Sequence, residues 1–128
     1  MAFVVPVVIV LTPFTVMKKC TKELKAAGLI SGADFSITLH PESGDSWIVP
    51  GQRQLLVVSH FDGDQNAAIA FVRNMKMKMR KGGLTTVEFF PYPYPGDLKD
   101  VFDHKIERGT GSQKLCSNLL EFIRVFLG

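Results

Sequence analysis

The chain is short of the residues and motifs from which most enzymes are built. Cys20 and Cys116 are its two cysteines in 128 residues. They are too few and too far apart for a disulfide framework or a CxxC metal site. Both read as reduced, buried small hydrophobes, which implies a cytoplasmic-type reducing compartment. Of the three histidines, His40 and His104 have no partner at helical or strand spacing. No GxSxG, HExxH, P-loop or GxGxxG fingerprint occurs. The stretch LTPFT after the first apolar run has neither the glycines nor the arginine of a phosphate-cradling loop. No catalytic residue, cofactor or metal site is therefore expected, and the chain reads as a non-enzyme.

Long apolar runs are scarce too. MAFVVPVVIVLTPF lacks the basic lead and the A-x-A-like cleavage site of a signal peptide. Its apolar part is too short to span a bilayer, so it is expected to be a buried strand, with no membrane partner. There are no internal repeats and no low-complexity tracts. Disorder is excluded by composition, since 46% of residues are hydrophobic and 21% charged, with ten phenylalanines. A net charge of +3 tilts the chain toward anionic partners without requiring them.

What is present is a regular alternation of elements. FVVPVVIVL (3–11) is a β-branched run with the character of a strand covered on both faces, pairing after Pro6 or bulging around it. Thr12 and Pro13 open a helix that Gly28 closes. Along it Met17, Cys20, Leu24 and Ala27 form one apolar stripe, and Lys18, Lys19, Lys22 and Lys25 lie opposite. DFSITLHP alternates like an edge strand. PESGDSWIVPGQ makes a long turn carrying the one tryptophan, and RQLLVVSHF reads as a central strand. Asp62 and Asp64 suit the start of a helix burying Ala68, Phe71, Val72, Met75 and Met79 and ending at Gly82 and Gly83. LTTVEFF is a further strand, expected at an edge.

The order β-α-β-β-α-β predicts an α/β (α+β) ferredoxin-like split βαββαβ sandwich over residues 1–94, with strands one and three central. Two additional C-terminal helices, near 97–108 and 112–127, complete a single domain. FFPYPYP, between them and the core, is a strap for a helix or a stiff contact strip for a partner. The connector at 108–112 is the one plausible hinge.

Chemistry collects at two places. HFDGDQN matches the first ligand positions of an EF-hand loop through Asp62, Asp64 and Asn66. It then fails, with Ala67 where glycine is needed and Arg73 where the bidentate glutamate belongs. Helix capping accounts for these acids; a metal-dependent hydrolase using His60, Asp62 and Asp64 is the alternative, and a ligand-binding regulatory domain of ferredoxin-like type a third reading. The second place is basic. In a split βαβ fold both crossover helices share one face of the sheet, which would gather Lys18, Lys19, Lys22, Lys25, Arg73, Lys76, Lys78, Arg80 and Lys81 into one layer. These are nine of the chain's fifteen Lys and Arg, with Glu23 the one acid in the two stretches. Two accounts fit such a layer: cations that suit helix C-termini and solvate the surface, or a face that contacts RNA, in a sequence-tolerant way, or an acidic protein partner. RNA binding on the sheet surface is disfavoured, because the central strands carry Val, Ile and Leu where stacking aromatics are needed.

The helix near 112–127 is apolar almost all round. Leu115, Leu119, Phe122 and Phe126 form one stripe; Cys116, Leu120, Ile123 and Leu127 form another beside it. One stripe packs on the sheet, and the other is expected at a two-fold homodimer interface through Leu120, Ile123 and Leu127. With its length, mixed α/β order, basic helix FVRNMKMKMRKGG and apolar end LCSNLLEFIRVFLG, the chain resembles the small assembly and genome-packaging cofactor of cystoviruses, the segmented double-stranded-RNA phages. That resemblance implies a non-enzymatic protein of the virion interior that promotes capsid or polymerase-complex assembly and helps stabilise single-stranded RNA. No catalytic or binding residue carries over by motif.

Overall fold

The structure, a computed structural model, describes residues 4–11, 14–39, 47–49, 51–59, 65–78, 85–89, 104–105 and 112–128. Strand β1 (Val7–Val10), helix α1 (Phe14–Ala26), strands β2 (Phe35–Thr38) and β3 (Leu55–Ser59), helix α2 (Gln65–Lys78), strands β4 (Thr85–Phe89) and β5 (His104–Lys105), and helix α3 (Ser112–Leu127) follow in that order. The fold is mixed α/β, as the alternation of elements predicts.

The strands form one sheet in the order β2-β1-β3-β4-β5, and every pairing is parallel. This corrects the ferredoxin-like expectation, in which β2 and β3 would run antiparallel and β4 would close an edge. Here β2 does not pair with β3. β3 runs parallel to β1, and the 16 residues between Thr38 and Leu55 exceed the dozen or so that a parallel crossover needs. β4 lies inside the sheet, flanked by β3 and the short β5. A strand at His104–Lys105 also stands where a helix near 97–108 is expected.

Parallel pairing suits these sequences. VVIV and LLVV are apolar on both faces and are 0% exposed throughout, which only a sheet covered on both sides can use. Alternate residues of β1 divide the core. Val8 and Val10 join Leu56 and Val58 against Ile69, Val72 and Met75 of α2. Val7 and Ile9 join Phe35, Leu55, Val57 and Val87 against Cys20 and Leu24 of α1 and Leu119, Ile123 and Phe126 of α3. The two helix layers therefore lie on opposite faces. The reason is handedness: a right-handed crossover from β1 to β2 moves one way along the sheet, whereas that from β3 to β4 moves the other way.

Helix α1 ends as its sequence predicts. Gly28 takes φ +92°, its N–H bonds to the Lys25 carbonyl at 3.0 Å, and the Leu29 N–H reaches the Leu24 carbonyl at 3.1 Å. This pair of bonds satisfies carbonyls that the last turn leaves open. Pro6 sits just before β1, and its carbonyl accepts from the Leu55 N–H at 2.8 Å. β1 thus begins after the proline, where no ladder donor is lost. No helix among the described residues is long and apolar enough to cross a membrane.

Candidate interaction surface

In α1 the apolar stripe turns inward as expected, with Cys20 and Leu24 buried and Met17 and Ala27 half-buried. Lys18, Lys19, Lys22 and Lys25 consequently face outward, and all four are exposed. No ion pair joins them to another described residue. They line a trough of roughly 900 Å³ that runs along α1 and also takes in Phe14, Thr15, Met17, Thr21 and Glu23. The trough is open and its walls are mainly apolar. Phe14 contributes a ring that is 56% exposed, and the lysine stems supply methylene surface while their heads stay in water. The Thr21 hydroxyl is turned into the helix, donating to the Met17 carbonyl at 2.8 Å.

The remaining basic residues are elsewhere. Arg73 is exposed and Lys76 half-buried on α2, which packs on the opposite face of the sheet. The described members of the expected nine-residue layer therefore lie on two separate surfaces, a correction that follows from the crossover directions described above. The Lys78 side chain, and Arg80 and Lys81 altogether, lie outside the described residues, as do the side chains of Ala68 and Phe71 and all of Met79. Met77, off the core stripe, is 65% exposed.

The expected dimer stripe on α3 is also corrected. Ile123 is 0% exposed and belongs to the core over β1 and β3, and Leu120 is half-buried against the same cluster. Of the three interface candidates only Leu127 stands out into solvent. The observed inward stripe is Leu119, Ile123 and Phe126, at i, i+4 and i+7. It is rotated from the expected one because α3 must also meet α1. Of the described polar side chains of α3, Ser117, Glu121 and Arg124 are exposed and Asn118 is half-buried.

His60, Asp62 and Asp64 lie outside the described residues. Among the described residues, no cluster of three His, Cys, Asp or Glu is placed to hold a metal ion. Cys20 departs from the reduced reading, since it is disulfide-bonded and 0% exposed. The sequence has one other cysteine, Cys116, in α3. Composition favours buried thiols because it cannot show which residues folding brings together.

Gln54 carries little signal in the sequence and is central to the amino edge. It is 0% exposed, its Oε1 accepts from the Val49 N–H at 2.8 Å, and its Nε2 donates to the carbonyls of Val5 at 2.8 Å and Trp47 at 3.0 Å. The one available signal is its place directly before LLVV, which puts it at the mouth of a buried strand. The chain matches no protein-family model and no curated protein.

Proposed function

We propose that this chain is a non-enzymatic assembly or scaffolding domain whose α1 surface contacts an anionic macromolecule. The observation that carries this reading is the open trough along α1, with four lysines unpaired among the described residues and one glutamate. Opposite charge draws a partner in from a distance, and apolar walls reward close contact once it arrives. An open trough suits a macromolecule better than a small ligand, which is usually enclosed on most sides. A role in capsid or polymerase-complex assembly and RNA packaging belongs to the same proposal and rests on the resemblance to the cystovirus cofactor.

The test is a salt titration of binding to two anionic probes, polyglutamate and a mixed-sequence RNA. At least one should bind, with affinity falling steeply as salt rises. The Lys18→Glu/Lys22→Glu variant should bind it at least about tenfold more weakly. Binding that this variant leaves unchanged, or no binding of either probe, contradicts the proposal.

A second reading has the strand order in its favour. In doubly wound sheets of order 2-1-3-4-5, ligands bind beyond the carboxyl ends of the strands where the order reverses, here between β1 and β3. A small-ligand regulatory domain, or a hydrolase drawing on the segment after β3, would work there. Thermal-shift screening against metabolites and divalent cations tests this reading, and a set without any stabilising compound counts against it.

A further inference from the structure

Taking α1 as the contact surface, and resting on that reading, we infer that its trough receives an acidic amphipathic helix from a partner protein. The trough's walls are mainly apolar. A phosphate backbone brings no apolar surface to cover them, and among the described lining residues Phe14 is the one ring on which a base could stack, whereas an amphipathic helix brings a stripe of large apolar side chains at i, i+3, i+4 and i+7. Phe14, 56% exposed at one end of α1, and half-buried Met17 are the surface such a stripe would cover.

The charges have the matching layout. Lys18, Lys22 and Lys25 stand at i, i+4 and i+7 on one line of α1, with Lys19 beside them. Their spacing along the axis is about 6 Å and then about 4.5 Å, at 1.5 Å per residue. A partner helix carrying Glu or Asp on the flank of its apolar stripe repeats at the same intervals. Its carboxylates then meet the ammonium groups at the rim while its apolar side chains fill the trough. The thirteen residues of α1 make a helix of about 20 Å, enough to face three to four turns of a partner.

The donor chemistry does not itself choose between anions: α1 contains no arginine, so the planar two-pronged grip that suits carboxylate and phosphate alike is missing, and the cations are compact point charges. The choice rests on the apolar walls. The Thr21 hydroxyl proton is spent within the helix, on the Met17 carbonyl.

Fluorescence anisotropy on the full chain tests the inference with three labelled probes. They are a Glu/Leu peptide patterned as an amphipathic helix, a scramble of identical composition, and a single-stranded RNA of about twenty nucleotides. The patterned peptide should bind at least about tenfold more tightly than the scramble and more tightly than the RNA. Phe14→Ala should weaken the peptide several-fold, and Lys18→Glu/Lys22→Glu by about tenfold or more. Both variants change exposed side chains, and unchanged far-ultraviolet circular dichroism verifies that they remain folded. Equal binding of peptide and scramble, or tighter binding of RNA, overturns the helix inference while the anionic-partner reading stands. If none of the three probes binds, both are overturned.

Discussion

The Arg53 Cζ lies 3.9 Å from the centroid of the Phe126 ring, and Arg53 Nη1 donates to the Phe126 carbonyl at 3.2 Å. One side chain thus covers an aromatic face and meets a carbonyl of the last turn of α3, where helix carbonyls lack partners and the dipole is negative. Arg53 immediately precedes Gln54 and β3, so this contact joins the end of α3 to the start of a central strand. Arg53→Ala should lower stability by about 1 kcal/mol, a fall in Tm of roughly 3–5 °C. Arg53→Lys should recover part of it, keeping the charge but losing the flat contact. Equal Tm values for parent and Arg53→Ala would show that the contact contributes nothing.

Gln54 holds three backbone groups of the amino edge with one amide. Gln54→Leu fills nearly the same volume and leaves the Val49 N–H and the Val5 and Trp47 carbonyls without it. A loss of about 2–4 kcal/mol is expected in chemical denaturation, at 1–3 kcal/mol for each buried group left unsatisfied and with some relaxation toward water. A loss under about 0.5 kcal/mol, the usual range of a surface change, would contradict the clamp.

On α3, Ile123 and Val125 are two residues apart and have opposite environments, 0% and 78% exposed. Ile123→Asp should unfold the chain or cost several kcal/mol, because it buries an unpaired charge in the core. Val125→Asp should leave stability within about 0.5 kcal/mol. Sedimentation of the Val125→Asp/Leu127→Asp variant then addresses self-association. A dimer that this variant dissociates would place an interface on the outer side of α3; a dimer that survives it would not.

Cys20 should behave as a bonded cysteine toward thiol reagents. In unfolded, unreduced protein a thiol reagent should find no free cysteine, and after reduction both cysteines of the sequence should react. Reduction should lower stability by roughly 2–4 kcal/mol, as for other native disulfides. Two reactive thiols before reduction would restore the reading of the cysteines as reduced.

Much of this fold is legible in the residues, for identifiable reasons. VVIV and LLVV announce strands covered on both faces, FSIT announces an edge, Gly28 marks the end of α1, and the apolar repeat of 112–127 gives α3 its bounds. The direction of β3 is not legible, because a long polar connection after Thr38 reads alike whether the chain turns back or crosses over. That one choice decides whether α1 and α2 share a face, and so whether their described basic residues form one layer or two. Gln54 and the Cys20 bond are hidden for a related reason, since each depends on which distant backbone or helix folding brings beside it. The lysine face of α1 is legible from spacing alone; the exposure of the Phe14 ring beside it is not.

The account's central claim is that α1, and not the basic surface on the opposite side of the sheet, meets the partner. Charge reversal on each face, read in one anisotropy titration with whichever anionic probe the parent binds, tests it most directly. Lys18→Glu/Lys22→Glu should weaken binding by about tenfold or more, and Arg73→Glu on α2 should change it by less than about twofold. The reverse pattern, with Arg73→Glu abolishing binding and the α1 variant retaining it, would contradict the claim.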